Sequence, residues 1–101
     1  MTDYENKFQD ARKTIGEIDK EIAVLFQKRM EAVKDVAEYK KVNGVPVEDT
    51  VRESALLEKN SALISDDEIR SYYINFQKKT MDLSKDFQHK ILDGTRKNIR
   101  Q

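Results

Sequence analysis

Arg29 is the side chain in this sequence whose position most directly implies chemistry. It stands within a stripe of apolar residues that otherwise runs through the first forty residues in steps of three and four. A guanidinium at such a position is costly unless an anionic group meets it. Arg29 therefore either pairs with an acidic side chain or faces a space kept for an anionic ligand, and the sequence leaves both interpretations open.

Two further cations stand in a defined relation to Arg29. Lys40 follows it by eleven residues, which places the two side chains about 20° apart around an α-helix and about 16 Å apart along its axis. Their long side chains can converge on a group between them. Arg12 precedes Arg29 by seventeen residues and points about 100° away from it. Arg12 cannot readily join the same pocket from the same chain, but in an antiparallel dimer it could join the pocket of the other chain.

Two polar clusters follow later in the chain. Asp49, Arg52 and Glu53 gather at the first turn of a predicted helix, and Ser84 and Gln88, four residues apart, share one face of another. Taken one at a time, these side chains could be merely solvated, and Glu53 could be a helix cap. Together with the cations they form a set without a strong nucleophile–base pair. Such a set suits the binding of a small polyanion and the stabilisation of charge by fixed donors.

Composition excludes several other kinds of site. The chain has no cysteine, and no His/Asp/Glu cluster has metal-ligand spacing; we expect the single histidine, His89, to be a surface residue. The 19 basic and 19 acidic side chains balance, which argues against a nucleic-acid or membrane partner. No signal peptide opens the sequence and no apolar run could span a membrane. The sequence therefore predicts a soluble cytoplasmic protein.

Three helices are predicted to position these residues, so the fold class is all-α. The first runs from about Asp3 to Val42 and ends at the segment 43–46, Asn-Gly-Val-Pro. Its apolar seam consists of Phe8, Ala11, Ile15, Ile18, Ile22, Leu25, Ala32, Val36 and Tyr39, with Arg29 as the interruption. The second runs from about Thr50 to Lys59, with Thr50 and Glu53 at capping-box spacing.

The third helix opens at the segment 65–68, Ser-Asp-Asp-Glu, which has the spacing of a second capping box, and ends at Asp93-Gly94. Its predicted seam is Ile69, Tyr73, Phe76, Thr80, Leu83 and Phe87. We expect residues 1–94 to form one helical domain and the basic tail, residues 95–101, to be frayed.

The first helix is too long for the rest of one protomer to cover its apolar seam. A helix of some forty residues is about 60 Å long, whereas a compact domain of ~100 residues has a radius of gyration near 13 Å. One chain cannot fold back over so long a helix and cover its seam. The sequence therefore predicts an oligomer, most simply an intertwined two-fold dimer.

The ordered combination of these residues resembles the all-helical class of chorismate mutases, over about residues 8 to 92. The pattern runs Arg12-x-x-Ile15-x-x-Ile18-Asp19, Leu25-x-x-x-Arg29, Lys40, Gly44-Val45-Pro46-Val47-x-Asp49-x-x-Arg52-Glu53 and Ser84-x-x-x-Gln88. The resemblance implies a homodimer intertwined by its first helices. It also implies conversion of chorismate to prephenate on the route to phenylalanine and tyrosine. That reaction is an intramolecular pericyclic rearrangement of a dicarboxylate and requires no cofactor and no metal.

The resemblance also assigns catalytic roles by position. Arg29 looks like the residue that grips one substrate carboxylate from within its own chain, and Arg12 like the residue that grips the second carboxylate from the other chain. Lys40 and Gln88 resemble the two donors to the ether oxygen, which gains negative charge as the C–O bond breaks.

The remaining polar residues receive supporting roles by the same resemblance. Glu53 resembles the acceptor for the ring hydroxyl, while Asp49, Arg52 and Ser84 look like residues that bind the substrate or orient other groups. Two alternatives stay open at this point. One is an isochorismate–pyruvate lyase of the same fold, and the other is a non-enzymatic helical dimer that serves as an interaction module.

Overall fold

The computed structural model describes residues 2–94, which form three α-helices joined by short connections. They are α1 (Asp3–Asn43), α2 (Thr50–Ser61) and α3 (Asp67–Leu92). The prediction of an all-α chain with an overlong first helix is confirmed, and the predicted ends differ from these by no more than two residues. The predicted frayed tail lies outside the described residues.

Aspartate residues cap both later helices. Asp49 Oδ1 accepts a hydrogen bond from the Arg52 N–H at 3.1 Å, and Asp66 Oδ1 accepts one from the Ile69 N–H at 2.9 Å. The capping boxes predicted from Thr50 and Ser65 are therefore wrong by one residue each. In both cases an aspartate stands directly beside the predicted cap, and its carboxylate satisfies an N–H group of the first turn.

Gly44, directly after α1, explains why the helix ends at Asn43. Gly44 has φ 64, a left-handed backbone conformation that glycine adopts without steric cost, and the Val45 N–H donates to the Lys40 carbonyl at 2.9 Å. Pro46 comes next and cannot continue a helix. This turn directs residues 45–49 back past the last turn of α1, where Val47 is buried.

The chain forms two compact units, one up to Ala32 and one from Val33 onward. The described part of the N-terminal unit consists almost entirely of α1, and none of its residues is buried. Its predicted seam is present but uncovered: Phe8 is 55% exposed, Ile15 57% and Leu25 61%.

The C-terminal unit has a small core with unusual polarity. Among the described residues, those buried are Val33, Ala37, Val47, Thr80, Met81, Ser84 and Gln88. In α1 the buried pair Val33 and Ala37 lies one position away from the predicted seam, whose members Val36 and Tyr39 remain exposed. The last part of α1 therefore has two apolar faces, of which the protomer covers one.

The buried face of α3 also differs from the predicted seam. Of the predicted seam residues Thr80 is buried, whereas Ile69, Phe76 and Leu83 are exposed. The protomer instead buries Ser84 and Gln88, which the sequence placed beside the seam. Within residues 2–94, no helix combines the length and the apolar character needed to cross a membrane.

Candidate active site

Lys40 on α1 and Gln88 on α3 are in direct contact. The Lys40 ammonium donates to Gln88 Oε1 at 2.9 Å and to the Val47 carbonyl at 2.8 Å. Lys40 is half-buried and Gln88 is buried, with 6% of its surface exposed. The turn after Gly44 supplies the Val47 carbonyl, so the end of α1 and the loop behind it fix the position of the charge together.

A row of polar side chains continues along the buried face of α3. Thr80 Oγ1 donates to the Phe76 carbonyl and Ser84 Oγ donates to the Thr80 carbonyl, each at 2.9 Å. These hydroxyls are satisfied by their own helix. Gln88, one turn further, reaches across to α1 instead. The row therefore places hydrogen-bonding groups in a core where apolar side chains would also fit.

Glu53 projects from the first turn of α2 towards α3. Its Oε1 lies 3.0 Å from the Lys85 ammonium, and both side chains are about a quarter exposed. The hydrogen bond to the Glu53 carboxylate raises the pKa of Lys85 above its usual value. Both residues line a cleft of about 310 Å³ between α2 and α3, together with Leu57 and Met81.

The other two polar residues around the start of α2 are exposed. Asp49 is the cap described above, and Arg52 donates its backbone N–H to that cap. Next to them, Glu48 Oε1 lies 3.1 Å from His89 Nε2, and the hydrogen bond with His89 lowers the pKa of Glu48. His89 is exposed, as predicted for a surface residue.

Arg12 and Arg29 belong to the N-terminal unit, whereas the other six predicted site residues belong to the C-terminal one. Arg29 is half-buried. Arg12 is exposed, and its guanidinium carbon lies 5.2 Å from the centre of the Phe8 ring, within cation–π distance. The guanidinium and the ring belong to residues one turn apart on α1.

Sequence reasoning missed two groups near the candidate site, the Lys85 side chain and the Val47 carbonyl. Lys85 was not among the predicted site residues, since Asp82 three residues before it is a local partner of the kind that an ordinary surface lysine has. The sequence did place Lys85 three residues before Gln88, and therefore on the same side of α3 as a predicted site residue. The Val47 carbonyl could not have been found, because a backbone acceptor carries no mark in the sequence.

The arrangement can bind and stabilise negative charge. For this it offers an oriented ammonium and an amide with donor atoms, while the Glu53 carboxylate in the cleft can accept a hydrogen bond from a hydroxyl. No group of His, Cys, Asp and Glu within residues 2–94 could hold a metal ion. Fixed donors of this kind act by stabilising charge that develops in a transition state.

Comparison with known proteins agrees with this chemistry. Residues 11–89 match the family model described as chorismate mutase type II. A relative named chorismate mutase, from Methanocaldococcus jannaschii, is 40% identical over 53 residues, which is 52% of this chain and 54% of that protein. The match therefore spans about half the length of the curated relative. No solved structure gives a significant match.

Proposed function

We propose that this chain, which belongs to the chorismate mutase type II family, converts chorismate to prephenate. The family match covers most of the chain, and the relative from Methanocaldococcus jannaschii carries the same activity in its name. The contact between Lys40 and Gln88 is the structural observation that carries the proposal.

Lys40 and Gln88 are proposed to bind the ether oxygen of the substrate. This oxygen becomes more negative as the C–O bond breaks, so donors aimed at it stabilise the transition state more than the ground state. The Lys40 ammonium and the Gln88 amide are already within 2.9 Å of each other, so one oxygen can lie against both. Gln88 has Nε2 donors in addition to the Oε1 that holds Lys40, and these donors can turn to the substrate.

The two arginines are proposed to hold the substrate's two carboxylates. Arg29 would bind one from its own chain and Arg12 the other from a second chain, each through the bidentate geometry that guanidinium offers to carboxylate. Clamping both ends keeps the flexible enolpyruvyl arm over the ring. Because the reaction is already intramolecular, orientation here restricts only the internal rotations of the substrate, which can still supply several kcal/mol of the lowering of the barrier.

The polar residues of α2 and α3 complete the proposed site. Glu53 would accept the ring hydroxyl of the substrate from within the cleft that it lines. Arg52 and Ser84 would contact a carboxylate or hydroxyl, and Asp49 would hold the first turn of α2 that carries Glu53. The proposed rearrangement draws on no cofactor, because bond breaking and bond making occur in one concerted step that needs no carrier of electrons or groups.

We further propose that the protein is a homodimer. The N-terminal unit has an apolar seam but no buried residue among those described. A helix in water gains most of its stability from packing an apolar face, so this seam requires a covering surface. A second copy of the chain has an apolar surface that can cover the seam, and in a two-fold dimer each chain covers the seam of the other.

One wider assignment follows from the proposed reaction. Prephenate formation would place the protein in the biosynthesis of phenylalanine and tyrosine, the shikimate-derived route. Its cytoplasmic location stays a prediction from the sequence.

A direct assay tests the activity. Purified protein is incubated separately with chorismate and with isochorismate, and the products are identified. Prephenate from chorismate is the expected result. Salicylate and pyruvate from isochorismate would instead identify a lyase. Absence of turnover with both substrates, in a folded dimer, would favour an interaction module and contradict the proposal.

A further inference from the structure

The contact between Lys85 and Glu53 bears on how the proposed site holds its substrate. Lys85 Nζ lies 3.0 Å from Glu53 Oε1, and the contact joins α3 to the first turn of α2. Resting on the proposed function, we propose that Lys85 is a positioning residue for the substrate's ring hydroxyl, acting through Glu53. It holds the Glu53 carboxylate at the cleft in the orientation that accepts the hydroxyl.

Lys85 differs from an ordinary surface lysine on the same helix. Lys90 pairs with Asp86 one turn away at 3.4 Å, and both of those side chains are more than 60% exposed. Lys85 has a comparable local partner in Asp82, but that contact is longer, 3.7 Å. It reaches instead to another helix, where it and Glu53 are both about a quarter exposed. Less solvent around the pair means less screening of its attraction.

The placement of Lys85 connects it with the rest of the proposed site. It stands three residues before Gln88 and four after Met81, so these side chains share a face of α3. Lys85, Glu53 and Met81 line the same cleft of about 310 Å³. One face of α3 therefore carries a proposed donor to the ether oxygen and the residue that holds the proposed acceptor of the hydroxyl.

A carboxylate benefits from such a partner. It has two oxygens with about four lone-pair positions, so Lys85 can hold Oε1 while Oε2 remains available to a hydroxyl. A glutamate side chain without a partner samples several rotamers and loses that freedom when it binds. The ion pair orders Glu53 before the substrate arrives, which lowers the cost of binding.

The test compares three variants by steady-state kinetics with chorismate. Lys85→Met removes the ammonium but keeps the length of the side chain, Lys85→Arg restores a cation, and Lys90→Met is the matched control on the same helix. We expect Lys85→Met to lower kcat/KM by about tenfold to a hundredfold, because a displacement of about 1 Å in a binding group can cost up to about 10²-fold. KM should change more than kcat, because the hydroxyl is not a reacting group. Lys85→Arg and Lys90→Met should stay near wild type.

A double variant separates positioning from a general structural effect. In a Glu53→Gln background Lys85→Met should have little further effect, because Lys85 acts through the carboxylate that is already gone. An equal loss in both backgrounds, or a Lys85→Met variant indistinguishable from Lys90→Met, would overturn the inference while leaving the activity in place. If Lys85→Met does not fold, Lys85→Gln replaces it in every comparison. A wild-type protein without turnover of chorismate would instead refute the proposed function, and this inference with it.

Discussion

At the scale of single residues, the amide of Gln88 determines how the proposed site behaves with pH. A neutral amide donates a hydrogen bond at any pH, and Gln88 is buried against the Lys40 ammonium. A carboxylate at this position would accept from Lys40 but could donate only when protonated. The nearby ammonium favours its ionised form, so donation would be restricted to acidic solution.

Gln88→Glu should therefore lose activity at neutral pH and regain it on acidification. We expect kcat/KM at pH 7.5 to fall by about 10²–10³, the usual cost of losing one donor to a developing negative charge. The wild type should vary little across neutral pH. Gln88→Leu, which has no proton to donate, should stay low throughout the profile. A wild type that loses activity sharply as the pH rises past neutrality would contradict the assigned role of Gln88.

The Glu48–His89 pair should stabilise the fold until acid protonates Glu48. Because the hydrogen bond with His89 lowers the pKa of Glu48 from its ordinary 4.5, the pair stabilises the fold above that pH and ceases to do so as the pH falls through the lowered pKa. Glu48→Gln should lower Tm at pH 6, and the difference from wild type should disappear in more acidic solution. Glu58→Gln, an exposed change on α2, is the control. A deficit in Glu48→Gln that persists at low pH would contradict the assignment.

At the scale of elements, the junction between α2 and α3 is fixed by caps and by one arginine. The Arg70 guanidinium donates to the carbonyls of Ser61 and Ile64 and pairs with Asp67. It satisfies carbonyls where α2 ends, while the Asp66 carboxylate accepts from the Ile69 N–H where α3 begins. The short connection therefore sets the placement of Glu53 on α2 relative to Lys85 on α3.

Loss of the true cap should cost more than loss of the predicted one. Asp66→Ala removes the side chain that accepts from the Ile69 N–H, so we expect about 1 kcal/mol lower free energy of unfolding. Ser65→Ala, at the position first predicted as the cap, should stay within about 0.5 kcal/mol of wild type. Urea unfolding at one fixed protein concentration measures both. Equal losses in the two variants would mean that Ser65 shares the capping role.

At the scale of the whole molecule, the question is what covers α1. The apolar seam of the N-terminal unit is exposed in the protomer, with Ile18 47% and Ile22 43% exposed. A homodimer would cover this seam. It would also allow Arg12 of one chain to bind substrate in the proposed site of the other chain. Dimerisation and catalysis would then depend on the same helix.

Mixing two inactive variants tests this arrangement. Arg12→Ala and Arg29→Ala should each abolish turnover as homodimers. Refolding equal amounts together should restore about a quarter of wild-type activity, because half of the dimers are mixed and one of their two sites is complete. Mixing Arg12→Ala with an Arg12→Ala/Arg29→Ala double variant leaves no complete site and is the control. A mixture that stays inactive would contradict the sharing of Arg12 between chains.

Local patterns in the sequence were sufficient for the three helices, and they also indicated which polar residues form the proposed site. The alternation of apolar residues, the Asn-Gly-Val-Pro stop and the polar residues before α2 and α3 act over a few neighbours, so their meaning is visible in one dimension. Tertiary structure alone decided which faces the protomer buries, Val33 and Ala37 rather than Val36 and Tyr39. It also placed Lys40 against Gln88 and the Val47 carbonyl, and Lys85 against Glu53. The contacts of Lys40 with Gln88 and of Lys85 with Glu53 join residues far apart in the chain, and their geometry depends on how the helices pack, which helical periodicity does not specify.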